Sequence, residues 1–135
     1  MKVVIDTNVI ISAGLRGRKP KQIIDTIINS PEYEWVVSQA ILDEYSEVIH
    51  RKKFHFSQEQ ISYWTDVFSS LEMIEDNDVA THFPRDPKDE KFLKCAFASD
   101  ADYFLTGDND FQEIEKIGNT IRISVSEFIR TVIMK

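Results

Sequence analysis

Short apolar runs alternate along this chain with segments of helical spacing, and that alternation restricts the fold more than any other feature. Val3-Val4-Ile5 and Trp35-Val36-Val37 contain no polar residue, as a strand buried on both faces requires. Glu72 to Glu75 reads as a third, short strand, Tyr103-Phe104-Leu105 as a fourth and Ile121 to Ser124 as a fifth. Between them, Ile23, Ile24, Ile27 and Ile28 give helical spacing from Gln22 to Asn29, and Ser30-Pro31 ends it. Ser38 is placed to cap a helix from Gln39 to His50. Ser57 is placed to cap another that reaches Ser70, with Ile61, Trp64, Val67, Phe68 and Leu71 on its apolar side. Asp86-Pro87-Lys88-Asp89 combines an N-cap residue, a proline at the first helical position and an acid at the third, and predicts a helix to Ser99. Asp110 is a candidate cap for a short helix, and Ser126 for the last one, whose apolar residues are Phe128, Ile129, Val132 and Ile133. Gly14 to Lys21 reads as a basic loop, and Thr7-Asn8 as a turn or as support for Asp6. Strands that alternate with helices predict an α/β fold: a parallel sheet covered on both faces.

The 135 residues suit one domain, 1–135, large enough to bury a core without disulfides. A hydrophobic share of 42% argues against disorder. No apolar stretch is long enough to span a bilayer, and Asp6 comes too early for a secretory signal, so no membrane association and a cytoplasmic location are the expectations. Cys95, the only cysteine, sits beside Ala96 and Phe97 and reads as a small buried hydrophobe. His50, His55 and His82 have no zinc-like spacing. The formal charge of −7 allows two readings. One is an acidic, solvated surface. The other is a set of acids that hold metal ions, whose charge the cations neutralise.

The placement of the acids favours the second reading. In parallel α/β sheets the functional crevice lies beyond the carboxyl ends of the strands. Asp6 follows the first strand directly, and Asp108 and Asp110 follow the fourth within Leu105-Thr106-Gly107-Asp108-Asn109-Asp110. Glu44 borders the stripe formed by Ile41, Leu42, Tyr45, Val48 and Ile49, whereas Asp43 and Glu47 point elsewhere. Asp89 heads the inward stripe that continues through Leu93 and Ala96, with Lys88, Lys91 and Lys94 largely off it. Inward-facing acids are costly unless paired or metal-bound, and several in one crevice repel one another. Their hard oxygens suit Mg2+ or Mn2+, ions that support phosphodiester hydrolysis. Structural roles compete: a cap for Asp86 and Asp110, a capping box for Asp89, and an ion pair with Arg51 or Lys52 for Glu44.

Four segments resemble the motifs of PIN-domain nucleases, in order and spacing, across essentially the whole chain. They are Val4 to Ala13, Ser38 to Glu44, Arg85 to Leu93 and Ala101 to Phe111. The chain is most similar to single-domain bacterial members regarded as toxins of toxin–antitoxin pairs. The resemblance implies a three-layer α/β/α sandwich with a mainly parallel, five-stranded sheet, and Mg2+- or Mn2+-dependent endoribonuclease activity leaving 5′-phosphate and 3′-hydroxyl ends. It places the catalytic acids at Asp6, Glu44, Asp89 and Asp108, a common fifth acid at Asp110, and supporting polar residues at Asn8 and Thr106. By this reading Asp6, Asp89, Asp108 and Asp110 ligate metal. RNA is the implied substrate, and an antitoxin protein and a second copy of the chain are the implied partners.

Arg16, Arg18, Lys19 and Lys21 are candidates for steering the RNA backbone, with solvated turns as the plain alternative. Two other classes compete with the nuclease. An Asp-dependent phosphoryl-transfer domain is disfavoured because position 8 is Asn where a phosphatase needs Asp, and because Ser124 to Glu127, directly after Ile123 in the last strand, contain no Lys as a receiver requires. A non-catalytic, PIN-like partner-binding module is disfavoured by the complete acid set. The sequence leaves open which RNA is cut, RNA against DNA, Mg2+ against Mn2+, the existence of an antitoxin and the oligomeric state.

Overall fold

The computed structural model describes residues 1–15, 18–76, 87–107 and 114–134. Six strands form one sheet: β1 (Lys2–Ile5), β2 (Glu34–Val37), β3 (Glu72–Met73), β4 (Tyr103–Thr106), β5 (Glu115–Ile117) and β6 (Thr120–Ser124). Their order is β3-β2-β1-β4-β6-β5, and every pairing is parallel except β5 with β6. The helices are α1 (Thr7–Leu15), α2 (Arg18–Asn29), α3 (Gln39–Ile49), α4 (Gln58–Ser69), α5 (Glu90–Ser99) and α6 (Val125–Phe128), with a π-helical turn at Ile129–Ile133.

Side chains that alternate along β4 show the layering. Phe104 stacks on Phe92 of α5 at 5.5 Å, while Tyr103 meets Phe128 of α6 edge-on at 5.1 Å. Successive strand residues point to opposite faces, so α5 and α6 cover opposite sides of the sheet. Val3, Val4, Ile5, Val36, Val37, Phe104 and Leu105 are all fully buried, as expected for strands covered on both sides. The α/β/α sandwich is therefore present, with one strand more than the five expected.

The extra strand, β5, has three residues, two of them charged, and carries no apolar run to announce it. It is an antiparallel edge joined to β6 across Gly118-Asn119, where Gly118 has φ +61°. Glycine takes that conformation without the penalty a side chain brings. The predicted turn at Thr7-Asn8 is instead the start of α1, opened by the Val9 N–H bonded to the Asp6 carbonyl at 3.0 Å. The predicted basic loop is also largely helix. Gly14 stays inside α1, where a Cβ would stand 2.6 Å from the Phe56 ring, so this glycine serves packing and makes no turn. Arg18 to Lys21 form the first turn of α2. The last helix is capped by Ser124, two residues earlier than predicted, because β6 runs straight into α6; its hydroxyl accepts from Glu127 N at 3.2 Å. The caps at Ser38 and Ser57 form as expected, the latter as a capping box with Gln60. Pro87–Asp89 makes a 3-10 turn that leads into α5; the predicted caps at Asp86 and Asp110 lie outside the described residues.

The topology fixes where a site can be. From β1 the chain winds outward to β2 and β3, then returns to β4 on the other side of β1 and continues outward to β6. Ligands in such sheets bind beyond the carboxyl ends of the strands at this switch point, here between β1 and β4. The same end is tied to α3. Tyr45 is fully buried, donates its hydroxyl to the Ile5 carbonyl and accepts from Trp35 Nε1 at 3.4 Å. Tyr45→Phe strips both groups of their partner and is expected to lower stability by about 1–3 kcal/mol in denaturant unfolding. A loss below measurement error would show that this bond does not hold α3 to β1.

Candidate active site

The backbone delivers Asp6 to the switch point. Its N–H bonds to the Leu105 carbonyl at 2.9 Å, extending the β1–β4 ladder one residue beyond β1. Gly107 follows β4 directly beside it, and a Cβ there would lie 3.8 Å from Asn8 Cβ. Asp108 and Asp110, the next acids in the chain, are outside the described residues.

Two of the other expected acids lie within electrostatic reach of Asp6. Asp6 feels the negative charge of both Asp89 and Glu44. Asp89, buried at the turn before α5, pairs with Arg122 Nη2 at 3.3 Å. Glu44, half-buried on α3, accepts the Thr7 hydroxyl on Oε2 and the Lys91 ammonium on Oε1 at 2.7 Å. Of the two cations, Arg51 and Lys52, that the structural alternative offered Glu44, Arg51 pairs instead with Glu47 on the exposed side of α3. Asp43 and Glu47 are exposed, as the stripe argument required.

Among the described acids of the set, Asp6 has the least compensation. Its Oδ1 accepts the Asn8 backbone N–H at 3.1 Å, and among the described residues no hydrogen bond reaches Oδ2. Burial pushes its carboxyl from 3.8 up to about 6. The Asn8 hydrogen bond opposes this, the charges of Asp89 and Glu44 add to it, and Arg122 opposes it.

The supporting residues divide. Asn8 supports Asp6 through its backbone, while its side chain is exposed. Thr106 is buried and donates to the Ile123 carbonyl at 3.4 Å, so it ties β4 to β6. Thr7 holds Glu44 rather than Asp6. Sequence reasoning missed two contributors, Lys91 and Arg122, and gave Thr7 to Asp6 where it holds Glu44. Arg122 had a visible signal, a lone cation between Ile121 and Ile123 in a strand. It stands in register with Phe104, on the α5 side of the sheet, where Asp89 is. Lys91 had none, since the spacing that placed it off the inward stripe says nothing of how far its long side chain reaches.

Arg18, Lys19 and Lys21 are exposed at the start of α2, and Arg16 is outside the described residues. Lys19 reaches Ser126 Oγ at 3.4 Å, and Lys21 pairs with Asp25 at 3.7 Å. Arg18 and Lys21 line a groove of about 500 Å³ with Ala13, Gln60, Tyr63 and Trp64, and neither Asp6, Glu44 nor Asp89 lines it. His50 and His55 are exposed, and Cys95 is buried with its thiol pushed up to about 12 by desolvation. No described helix is long and apolar enough to cross a membrane.

Among the described residues no group of three or more His, Cys, Asp or Glu side chains is placed to hold a metal ion. The donors that do meet are carboxylate oxygens, the ligand type of Mg2+ and Mn2+. An Asp with an open oxygen, raised by burial and by two like charges, is the electrostatic condition that a bound cation relieves. The donor type and charge of these residues suit such an ion; two of the expected ligands, Asp108 and Asp110, are outside the described residues.

A family model described as PIN domain matches residues 2–110, from β1 through the residues that follow β4. The chain belongs to the PIN-domain family. No curated protein matches it. The fold is similar to a chain in the crystal structure of VapBC2 from Rickettsia felis bound to a DNA fragment from their promoter. The TM-score is 0.56 and the identity 18%, over 92% of this chain and 98% of that one.

The raised Asp6 carboxyl makes stability depend on pH in a definite direction. With a folded value near 6 against 3.8, the native state binds more protons than the unfolded state between these limits. Stability therefore falls as pH rises through that window, and the whole penalty is present above it. Asp6→Asn is expected to stabilise the chelator-treated protein by about 1–3 kcal/mol at pH 7.5 and by little at pH 4. Manganese is expected to raise the melting temperature of the wild type more than that of the variant. Destabilisation by Asp6→Asn at pH 7.5 would contradict the electrostatic account.

Proposed function

We propose that this protein is a metal-dependent endoribonuclease that hydrolyses RNA phosphodiester bonds, acting as the toxin of a toxin–antitoxin pair. The observation that carries the reading is that Asp6, at the carboxyl end of β1, lies within electrostatic reach of Glu44 and Asp89 in a chain of the PIN-domain family. Mg2+ or Mn2+ bound there would supply an activated water and offset charge on the phosphoryl oxygens. Asp6 and Asp89 would hold the ion, joined by Asp108 and Asp110 from the residues after Gly107. Asn8 keeps Asp6 aimed through its backbone N–H. Thr7 keeps Glu44 beside the site, where it accepts a proton or completes the ligand set. The similarity to a chain of the VapBC2 assembly supports a protein partner that silences the activity. A second copy of the chain is a further proposed partner, and the cytoplasm the proposed location.

Incubated with single-stranded RNA and manganese, the wild type is expected to yield 5′-phosphate ends. Asp6→Asn is expected to cut more than about 100-fold more slowly, beyond what loss of a merely supporting residue costs. An unchanged rate for Asp6→Asn would end the proposal. Charge reversal at Arg18 and Lys19 is expected to weaken RNA binding and to flatten its salt dependence by about one unit of slope per lost phosphate contact. Unaltered affinity would remove those residues from the substrate path.

A further inference from the structure

The three acids at the switch point are not equivalent before any cation arrives. Glu44 has both oxygens engaged, Oε2 by the Thr7 hydroxyl and Oε1 by Lys91 Nζ at 2.7 Å. Asp89 has a guanidinium at 3.3 Å, whereas Asp6 has, among the described residues, only a backbone N–H at 3.1 Å. The Lys91–Glu44 pair is about two-thirds shielded, with side-chain exposures of 34% and 30%, so salt screens it less than a surface pair. Lys91 stands on α5 two residues after Asp89 and reaches across to α3, joining the elements that carry two of the acids.

We propose that Lys91 is a resident counter-cation for Glu44: its ammonium holds the oxygen that a second divalent cation would need, so the site takes one ion readily and a second only by displacing Lys91. An ammonium at 2.7 Å and a divalent ion at about 2.0–2.6 Å from the same oxygen would face each other's positive charge at close range, so the two compete for Glu44 Oε1. Asp6, whose Oδ2 takes no hydrogen bond from the described residues, is where the first ion goes. Lys91 is thus a positioning residue. It offsets part of the repulsion among the acids in the free protein, and it sets the cation concentration at which Glu44 joins the ligand set.

The inference rests on the cation-dependent reading above, and its test is binding rather than cleavage. Manganese is titrated into wild type, Lys91→Met and Lys91→Arg, with free Mn2+ followed by electron paramagnetic resonance and total binding by calorimetry. Lys91→Met keeps the apolar stem and removes the charge. It is expected to tighten the weaker manganese site about tenfold, the scale on which groups around a ligand tune a metal. The stronger site changes by less than about threefold. Lys91→Arg keeps the wild-type pattern. In a Glu44→Gln background, Lys91→Met has no further effect on manganese binding. A tighter site is a gain that misfolding does not produce, so loss of structure cannot imitate it. Equal affinities in wild type and Lys91→Met overturn the inference alone. Failure of both to bind manganese overturns it together with the cation reading, and RNA cleavage does not enter either outcome.

Discussion

Like charges held together at the end of a buried strand are the constraint around which this molecule is arranged. Asp6 cannot move away from Asp89 and Glu44, because its backbone is part of the β1–β4 ladder and the strand beneath it is buried. Repulsion is therefore met by cations brought in from outside the sheet's switch point. Arg122 comes from β6 to Asp89, and Lys91 from α5 to Glu44. Among the described residues Asp6 itself goes without such a partner, and burial, with the charges of Asp89 and Glu44 added, holds its carboxyl near 6. An acid left with only a backbone N–H and a distant guanidinium to offset its burial costs the free protein stability.

The hydrophobic core exists on both sides of that constraint. Phe92 and Phe104 lock α5 to the sheet on one face, while Tyr103 and Phe128 lock α6 on the other. Tyr45 does something more specific. Its hydroxyl satisfies the Ile5 carbonyl one residue before Asp6, so the helix that carries Glu44 is pinned to the strand that ends at Asp6. Thr7 repeats the link one residue beyond Asp6. These two bonds bracket Asp6 and fix the separation of the acids more tightly than packing alone would.

Much of this fold is legible in the amino-acid sequence. Apolar runs at β1, β2 and β4 mark a buried sheet, and hydroxyls at Ser38 and Ser57 mark helix starts, because each signal is local and needs no knowledge of neighbours. Helical periodicity also turns Glu44 and Asp89 toward the interior, since it fixes which face a residue occupies. Other elements are hidden for equally physical reasons. Thr7-Asn8 looks like a turn because a helix beginning one residue after a strand leaves no room for a separate cap. Gly14 looks like punctuation, although its role is to admit the Phe56 ring. β5 is unreadable because three edge residues with two charges carry no periodic signal.

The sequence by itself determined that this chain makes a parallel α/β sheet with acids at strand and helix ends, and that it carries the ordered motifs of the PIN family. Periodicity, capping chemistry and motif order are properties of contiguous residues and survive without coordinates. Only the tertiary structure decided which acids are compensated and by which cations. Lys91 and Glu44 are 47 positions apart, Arg122 and Asp89 more than 30, and no local rule couples them. Their pairing follows from strand order and from where α5 crosses the sheet, since that crossing sets which long side chains can reach the switch point.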